Sequence, residues 1–508
     1  MSAARVAVAV AAALLFLPAI RYGYVQDDRA IIAANPAAHS VTAALRAFDQ
    51  PYWPRPAEGG LYRPLTILSY AVDWSLSGGS AGWLHVMNAL WHGLATLLVM
   101  LALARWLPEP GVLAAGLVFA VHPLHVEAVA SLVGRADLLV AVALLGAVLA
   151  ARRRSWVAAC ALAAAAMLSK EHGAIAGVVI LLDDWLHSAT GRLSYPRAFY
   201  AALGALTLVF LALWWQVGGA GAQDAAAPFL GASAGGRLAI ALPALWCAAR
   251  LLVFPLDLSA DYNPQVIPAY SGLSVAAVAG IGVVVGVLWL AWWCRQRAPA
   301  ITFAGVVAAL AFAPTSNLLH SSGVVLAERT LYLPVLLVAT GAGIGLAALV
   351  ARGRRVAAVV VTALVVGALG ARTLDRLPAW RDNRTFLLTL LEEHPESYRA
   401  HESAAAVYAG LGDARASQRE YATAESLFAR DPRLDAAYAL TLFAHGDTAA
   451  ALPLAARAAA RLPDDRVVLR CRFLAAWARH DRSGARALAD SAGVLFPAEQ
   501  AWYRLQLQ

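Results

Sequence analysis

Between residues 6 and 369 the chain is dominated by apolar stretches, twelve by inspection: 6–20, 83–103, 112–121, 138–150, 156–168, 173–185, 199–217, 238–256, 275–293, 301–319, 331–350 and 356–369. About 20 apolar residues in a helix cross about 30 Å of hydrocarbon. Within lipid every backbone amide and carbonyl must be satisfied internally, which leaves helices and closed barrels as spanning structures. These stretches are continuously apolar rather than alternating, so they read as helices. Composition agrees, with 60% hydrophobic and 14% charged residues against about half and a quarter in soluble domains. The expected fold is all-α: a polytopic membrane helical bundle of about 11–12 segments over residues 1–375, then a charged, alanine-rich soluble domain over 376–508.

The net charge of +8 is spread over short loops between apolar stretches. That is positive-inside patterning, not the footprint of a nucleic-acid binder. Arg105, Arg152 to Arg154, Arg192, Arg197, Arg295, Arg297, Arg352, Arg354 and Arg355 mark the cytoplasmic side. No small-x-small cleavage site follows the first stretch, so it reads as a retained anchor with the N-terminus inside. The segments bearing Asp27, Glu127, Lys170, Asp261 and Glu328 then face outside. Twelve crossings would break that arrangement. One stretch between 199 and 256 is therefore expected to be re-entrant or half-spanning, which buried backbone tolerates. Residues 21–80 are too polar and too rich in Pro and Gly to span. They form a first external loop of a length associated with function, with Tyr52, Trp53 and Tyr62 as an interfacial aromatic belt. Cys160, Cys247, Cys294 and Cys471 show neither a disulfide framework nor zinc spacing.

Ionisable groups beside apolar helices are costly and mark functional sites. One face collects Asp27, Asp28, Arg63, Glu127, Arg135, Asp137, Lys170, Glu171, Asp261, Glu328 and Arg329. Cations of this kind hold phosphate, and a carboxylate beside them can take a proton from an incoming hydroxyl. Plainer readings stand beside that one. Asp27-Asp28 suits a solvated turn or helix cap, Glu328-Arg329 a structural pair, and Lys170 a snorkelling side chain. His122, His125 and Glu127 lack a clear third metal ligand, so no metal is expected. His85, Asn88 and His92 share a helix face and read as internal hydrogen-bonders. A transporter would carry charges near mid-membrane and an internal repeat, whereas these charges gather at one face. A lipid-linked-sugar flippase and a non-catalytic assembly scaffold are the alternatives.

In the soluble part, Asp413, Asp447 and Asp481 recur in steps of 34, and Pro432, Pro463 and Pro497 close the matching units. Helix, Gly-Asp turn, helix, Pro with this period is the tetratricopeptide signature. Three units are near the minimum for a stable stack. Tyr408, Tyr421, Phe428 and Tyr438 are expected in its core.

The motifs occur in a fixed order: Asp27-Asp28 with Asn35-Pro36, Tyr62-Arg-Pro-Leu-Thr66, His122-Pro-Leu-His-Val-Glu-Ala128, Val133-Gly-Arg-Ala-Asp137, Ser169-Lys-Glu171, Leu258-Ser-Ala-Asp-Tyr262 and Ala327-Glu-Arg-Thr-Leu-Tyr-Leu-Pro334. Over about residues 5–375 this ordered set resembles the transmembrane and tetratricopeptide-repeat-containing protein O-mannosyltransferases, GT-C-type glycosyltransferases of the secretory membrane. The resemblance implies a polyprenyl- or dolichyl-phosphate-mannose donor, a Ser or Thr hydroxyl on an acceptor protein, inversion at the anomeric carbon and no cofactor. It also implies an essential acid in the first external loop, which maps onto Asp27-Asp28. Asp28 is expected as the base with Asp27 orienting. By physical inference Arg135, Lys170, Arg329 and Arg63 bind the donor phosphate, and Glu127, Asp137, Glu171, Glu328 and His125 support them. Two departures bear on the acceptor and the sugar. The repeat domain is short, and a composition rich in Ala, Arg and Val looks bacterial. The expected location is a bacterial inner membrane with the active face and repeats extracytoplasmic.

Overall fold

The computed structural model describes residues 2–54, 60–188, 192–219, 225–267, 274–496 and 499–507, so Pro497 of the third repeat lies outside the described residues. Every regular element among the described residues is helical. The membrane part runs α1 (Ala3–Leu15), α2 (Val41–Arg46), α3 (Pro64–Ser77), α4 (Ala81–Leu103), α5 (Glu109–Val121), α6 (His125–Ala130), α7 (Arg135–Arg152), α8 (Trp156–Ser169), α9 (Ala176–His187), α10 (Arg197–Trp214), α11 (Ala234–Val253), α12 (Val275–Cys294), α13 (Pro299–Phe312), α14 (Val335–Ala351) and α15 (Arg355–Arg376). Among the described residues seven helical stretches are long and apolar enough to cross a membrane: Ala3–Arg21, Ala81–Leu103, Leu132–Arg152, Arg197–Val217, Ala234–Val253, Val275–Cys294 and Arg355–Trp380. Four shorter apolar stretches, Glu109–Val121, Trp156–Ser169, Pro299–Thr315 and Val335–Ala351, accompany them. The chain is an integral membrane protein.

Charge pairing defines two ends of the bundle. At one end Asp183 is buried between Arg105 (2.8 Å) and Arg152 (2.6 Å), and Arg5 pairs with Glu109. The other end carries Asp27, Glu127, Asp137, Lys170 and Arg329, and is called the site end below. α5 and α14 pack with Gly111 against Gly343: a Cβ on Gly343 would stand 2.4 Å from the Gly111 carbonyl oxygen. Such close approach by small residues is how apolar helices pack without a hydrophobic driving force between them. Asn88 and His92 are buried in α4 and hydrogen-bonded, Asn88 to the Val129 carbonyl (3.2 Å) and His92 to Tyr332 Oη (2.8 Å).

Two features differ from the sequence expectation. The 199–256 region holds no re-entrant turn among its described residues; it is built of two long helices, α10 and α11. Both flanks of α11 are nonetheless tied to the segment joining α13 to α14. Before it, the Ala226 amide bonds Ser322 O (3.0 Å); after it, the Ser259 amide bonds Glu328 (2.8 Å). Second, the first loop is folded. It contains α3, which opens on Pro64 with its fixed φ and stops at Gly78, φ +65°. Tyr52 and Tyr62 are buried in protein rather than set out as a belt.

The C-terminal part comprises α16 (Asn383–Glu393), the hairpins α17 (Tyr398–Gly410)/α18 (Ala414–Leu427), α19 (Pro432–Ala444)/α20 (Thr448–Arg461) and α21 (Arg466–Ala478)/α22 (Arg482–Leu495), and α23 (Gln500–Leu507). The periodic aspartates cap the second helix of each hairpin. Asp413, Asp447 and Asp481 accept the amides of Ala416, Ala450 and Gly484, satisfying donors that a helix start leaves open. Ser397, Asp431 and Asp465 cap the first helices in the same way. Tyr421 is buried and stacks on Tyr438 at 5.3 Å, while Phe428 lies against Tyr398 at 4.7 Å and Tyr408 is half-buried. The domain sits on the site end: Arg376, closing α15, contacts both Glu328 (3.9 Å) and Glu393.

Candidate active site

The chain leaves α1 through a 3₁₀ turn, Leu17–Arg21, and reaches Asp27-Asp28. The two carboxylates face different surroundings. Asp28 is fully buried; its oxygens accept the amides of Val25 (3.0 Å) and Val133 (2.9 Å), stitching the first loop to the turn before α7. Burial lifts its carboxyl to about 7, with the backbone amides of Val25, Val133 and Leu132 pulling the other way. Asp27 instead lines a cavity of about 530 Å³. Asp28, expected as the base, is thus engaged on both oxygens by backbone amides, while Asp27, expected to orient it, is the one of the two that lines the cavity. A single π-helical turn, Arg29–Ala33, follows directly, a geometry frequent at functional sites.

Three cation–carboxylate pairs surround the cavity. Arg63, preceding α3, grips Glu171 with Nε (3.1 Å) and Nη2 (2.8 Å). Lys170 Nζ lies 2.7 Å from both oxygens of Asp137 in the first turn of α7. Arg329 gives its backbone amide (2.8 Å) and Nη1 (2.6 Å) to Glu127 in the first turn of α6. Asp137 and Glu127 each stand at a helix N-terminus, where the macrodipole favours negative charge. Burial lowers the Lys170 ammonium, partly offset by Asp137. Burial is the largest influence on the Arg63 and Arg329 guanidiniums and works against them, but Glu171 with Asp137 around Arg63, and Glu127 with Asp27 and Asp137 around Arg329, together raise both. Neither arginine is saturated. Among the described residues no protein group bonds Nη1 of Arg63 or Nε and Nη2 of Arg329.

Three residues expected at the site are elsewhere. Arg135 is fully buried and spent on the protein: it pairs with Asp73, donates to Asn88 Oδ1 (2.7 Å) and the Leu84 carbonyl (3.1 Å), and lies over Tyr70. A guanidinium so enclosed is not free for a phosphate. Its partner Asp73 lies within the mixed-polarity helix α3, where the sequence flags no site. Glu328 does not pair with its neighbour Arg329. It accepts from the Ser259 amide (2.8 Å) and Tyr262 Oη (3.1 Å) and faces Arg376, and burial raises its carboxyl to about 8. His125 is buried with Nε2 on the Tyr332 carbonyl (3.2 Å), while His122 Nε2 meets the Leu252 carbonyl (3.1 Å). No group of three or more His, Cys, Asp or Glu able to hold a metal occurs among the described residues.

Trp53, Phe210, Trp214, Thr315, His172, His320 and Thr330 also line the cavity. Sequence reading missed the α10 aromatics because they lie in an ordinary apolar stretch; only their helix position turns them inward. His172, beside Lys170-Glu171, was within reach of motif reasoning. Trp214 Nε1 is a buried donor without a partner among the described residues. The wall thus combines cations with open donors, one carboxylate outside the ion pairs and aromatic faces, a lining suited to an anionic ligand with a ring attached.

No protein-family model matches the chain, and no solved structure matches it. Curated proteins do. Protein O-mannosyl-transferase Tmtc2 of Drosophila melanogaster is 34% identical over 317 residues, 56% of this chain and 33% of that protein. Protein O-mannosyl-transferase F38B6.6 of Caenorhabditis elegans is 27% identical over 337 residues, 63% and 48% of the two chains. Protein O-mannosyl-transferase TMTC4 of Homo sapiens is 29% identical over 432 residues, 71% and 57%. The chain spans less than half the length of the first curated relatives it matches.

Proposed function

We propose, since the curated homologues of this chain are TMTC-family protein O-mannosyltransferases, that it moves a sugar, mannose in the first instance, from a polyprenyl-phosphate carrier to a Ser or Thr hydroxyl of an acceptor protein. The observation that carries this reading is Asp27, which lines a cavity walled by Arg63, Lys170 and Arg329 and, unlike the lining carboxylates Asp137 and Glu171, makes no ion pair among the described residues. Asp27 takes the proton of the acceptor hydroxyl as its oxygen attacks the sugar C1. The bond from C1 to the phosphate oxygen breaks, and the carrier phosphate leaves with the electron pair. The open donors of Arg63 and Arg329 receive the growing charge, the form of assistance that contributes most when aimed at the transition state. A single displacement inverts C1. The site end faces the extracytoplasmic side of a bacterial inner membrane, and the helical hairpins hold the acceptor.

The test is transfer of radiolabel from polyprenyl-phosphate-mannose into protein in membranes containing this chain, with Asp27→Asn alongside. General-base catalysis contributes about 10²–10⁴-fold, so label falls by at least about a hundredfold in the variant. Full activity of Asp27→Asn overturns the mechanism. No transfer by the wild type from any lipid-linked sugar overturns the function.

A further inference from the structure

We infer that the start of the helical-repeat domain belongs to the catalytic apparatus, with Asn383 as a positioning residue that fixes the backbone beside Asp27. This rests on the transfer reaction proposed above.

Gln26 has φ +49°, the left-handed region that is unfavourable for a residue with a Cβ and persists where neighbours enforce it. The enforcing contact comes from the far end of the chain. Gln26 gives its amide to Asn383 Oδ1 (3.0 Å), and Gly23 gives its amide to the Arg381 carbonyl (2.9 Å). Both acceptors lie where Asp382 caps the first helix of the C-terminal part, its side chain accepting the Thr385 amide. From the opposite side the Asp28 carboxylate holds Val25 and Val133. Residues 23–28 are thus clamped between the membrane bundle and the C-terminal domain, with Asp27 between the clamps.

The domain is joined to the site end a second time, at the 257–267 segment. Asn263 bonds Ser397, Arg399 pairs with Asp261 (3.1 Å), and Gln265 reaches the Leu427 carbonyl (3.2 Å). The domain that would hold the acceptor therefore also sets the base.

The test uses full-length protein in lipid nanodiscs. Asn383→Leu removes the acceptor oxygen at similar volume, Asn383→Asp keeps it, and Arg384→Ala changes the exposed neighbour. Hydrogen exchange of the 23–28 amides is read alongside kcat, acceptor KM and donor affinity at pH 8. A misplacement of about 1 Å at a reacting group can cost up to about a hundredfold. Asn383→Leu is expected to speed exchange and lower kcat about tenfold or more, with acceptor KM and donor affinity unchanged. Asn383→Asp returns both readouts to within about threefold of wild type, and Arg384→Ala matches wild type. Unchanged exchange in Asn383→Leu overturns the inference, as does faster exchange with unchanged kcat. A loss confined to acceptor KM would mark a merely structural part in the repeats and overturn it too. If the wild type transfers no sugar, the catalytic role falls with the functional reading. The exchange data are independent of turnover and separate that failure from a failure of the clamp.

Discussion

Asp28→Asn separates the two carboxylates of the first loop. The Asp28 side chain is buried and accepts two backbone amides, one local and one 105 residues away. An asparagine side chain has one acceptor oxygen, so one of those amides is left unpaired in a dry site. Such an orphan costs about 1–3 kcal/mol; Asp28→Ala orphans both, for about twice that loss. The effect also depends on pH. The folded-state value of about 7 lies above the ordinary 3.8, so between those values the folded protein binds a proton that the unfolded chain has released. The wild type's stability from this group is therefore full below about 4 and falls as pH rises to about 7. Asparagine has no such dependence, so the gap between variant and wild type is wider at pH 5 than at pH 8. Apparent unfolding midpoints of detergent-solubilised protein at the two pH values measure it. Below those midpoints Asp28→Asn is expected to retain sugar transfer, as follows from the proposal that Asp27 is the base. Wild-type stability at pH 5 combined with abolished transfer would refute the assignment and return the catalytic role to Asp28.

Asp73→Ala leaves the buried Arg135 guanidinium unpaired. Breaking a buried pair by removing one partner costs about 3–5 kcal/mol, so yield and thermal midpoint drop sharply; donor affinity measured on the folded fraction stays at the wild-type level, whereas a large fall in that affinity would restore Arg135 to the phosphate site. In the third hairpin, His480 occupies the left-handed position (φ +59°) that Gly412 and Gly446 take in the first two. His480→Gly relieves a cost of about 1 kcal/mol, only part of which is lost to the freer unfolded glycine; the melting of the repeat domain, followed by circular dichroism, moves up, and an unchanged or lower midpoint contradicts the cap geometry.

The all-helical class was legible because apolar continuity and a 34-residue period are one-dimensional signals. The aspartates at 413, 447 and 481 repeat in sequence because each caps the same helix of a hairpin. Pairing across the bundle is not one-dimensional. Arg135 and Arg329 are both arginines in loops beside apolar stretches, yet Asp73 encloses one and Glu127 leaves the other with free donors. Adjacent Asp27 and Asp28 differ only in which way the backbone turns, and that turn is set at Gln26 by Asn383, 357 residues away. The aromatic wall was hidden for a related reason. Phe210 and Trp214 share one face of α10 at helical spacing, and nothing local marks that face as the one turned toward the cavity.

The ion pairs around the cavity bear on how catalysis by these residues would work. With Arg63, Lys170 and Arg329 each matched to a carboxylate, the cavity holds no large excess of positive charge before the donor arrives. A donor phosphodiester carries one negative charge, and the departing phosphate monoester carries close to two. The attraction to fixed guanidiniums therefore grows along the reaction. Interactions that strengthen between ground and transition state lower the barrier, whereas those of constant strength only tighten binding. Bare cations would spend their attraction on the ground-state diester. The carboxylates of Glu171 and Glu127 temper that attraction while holding each guanidinium in place, so that the open Nη1 of Arg63 and Nε and Nη2 of Arg329 are oriented before the charge develops.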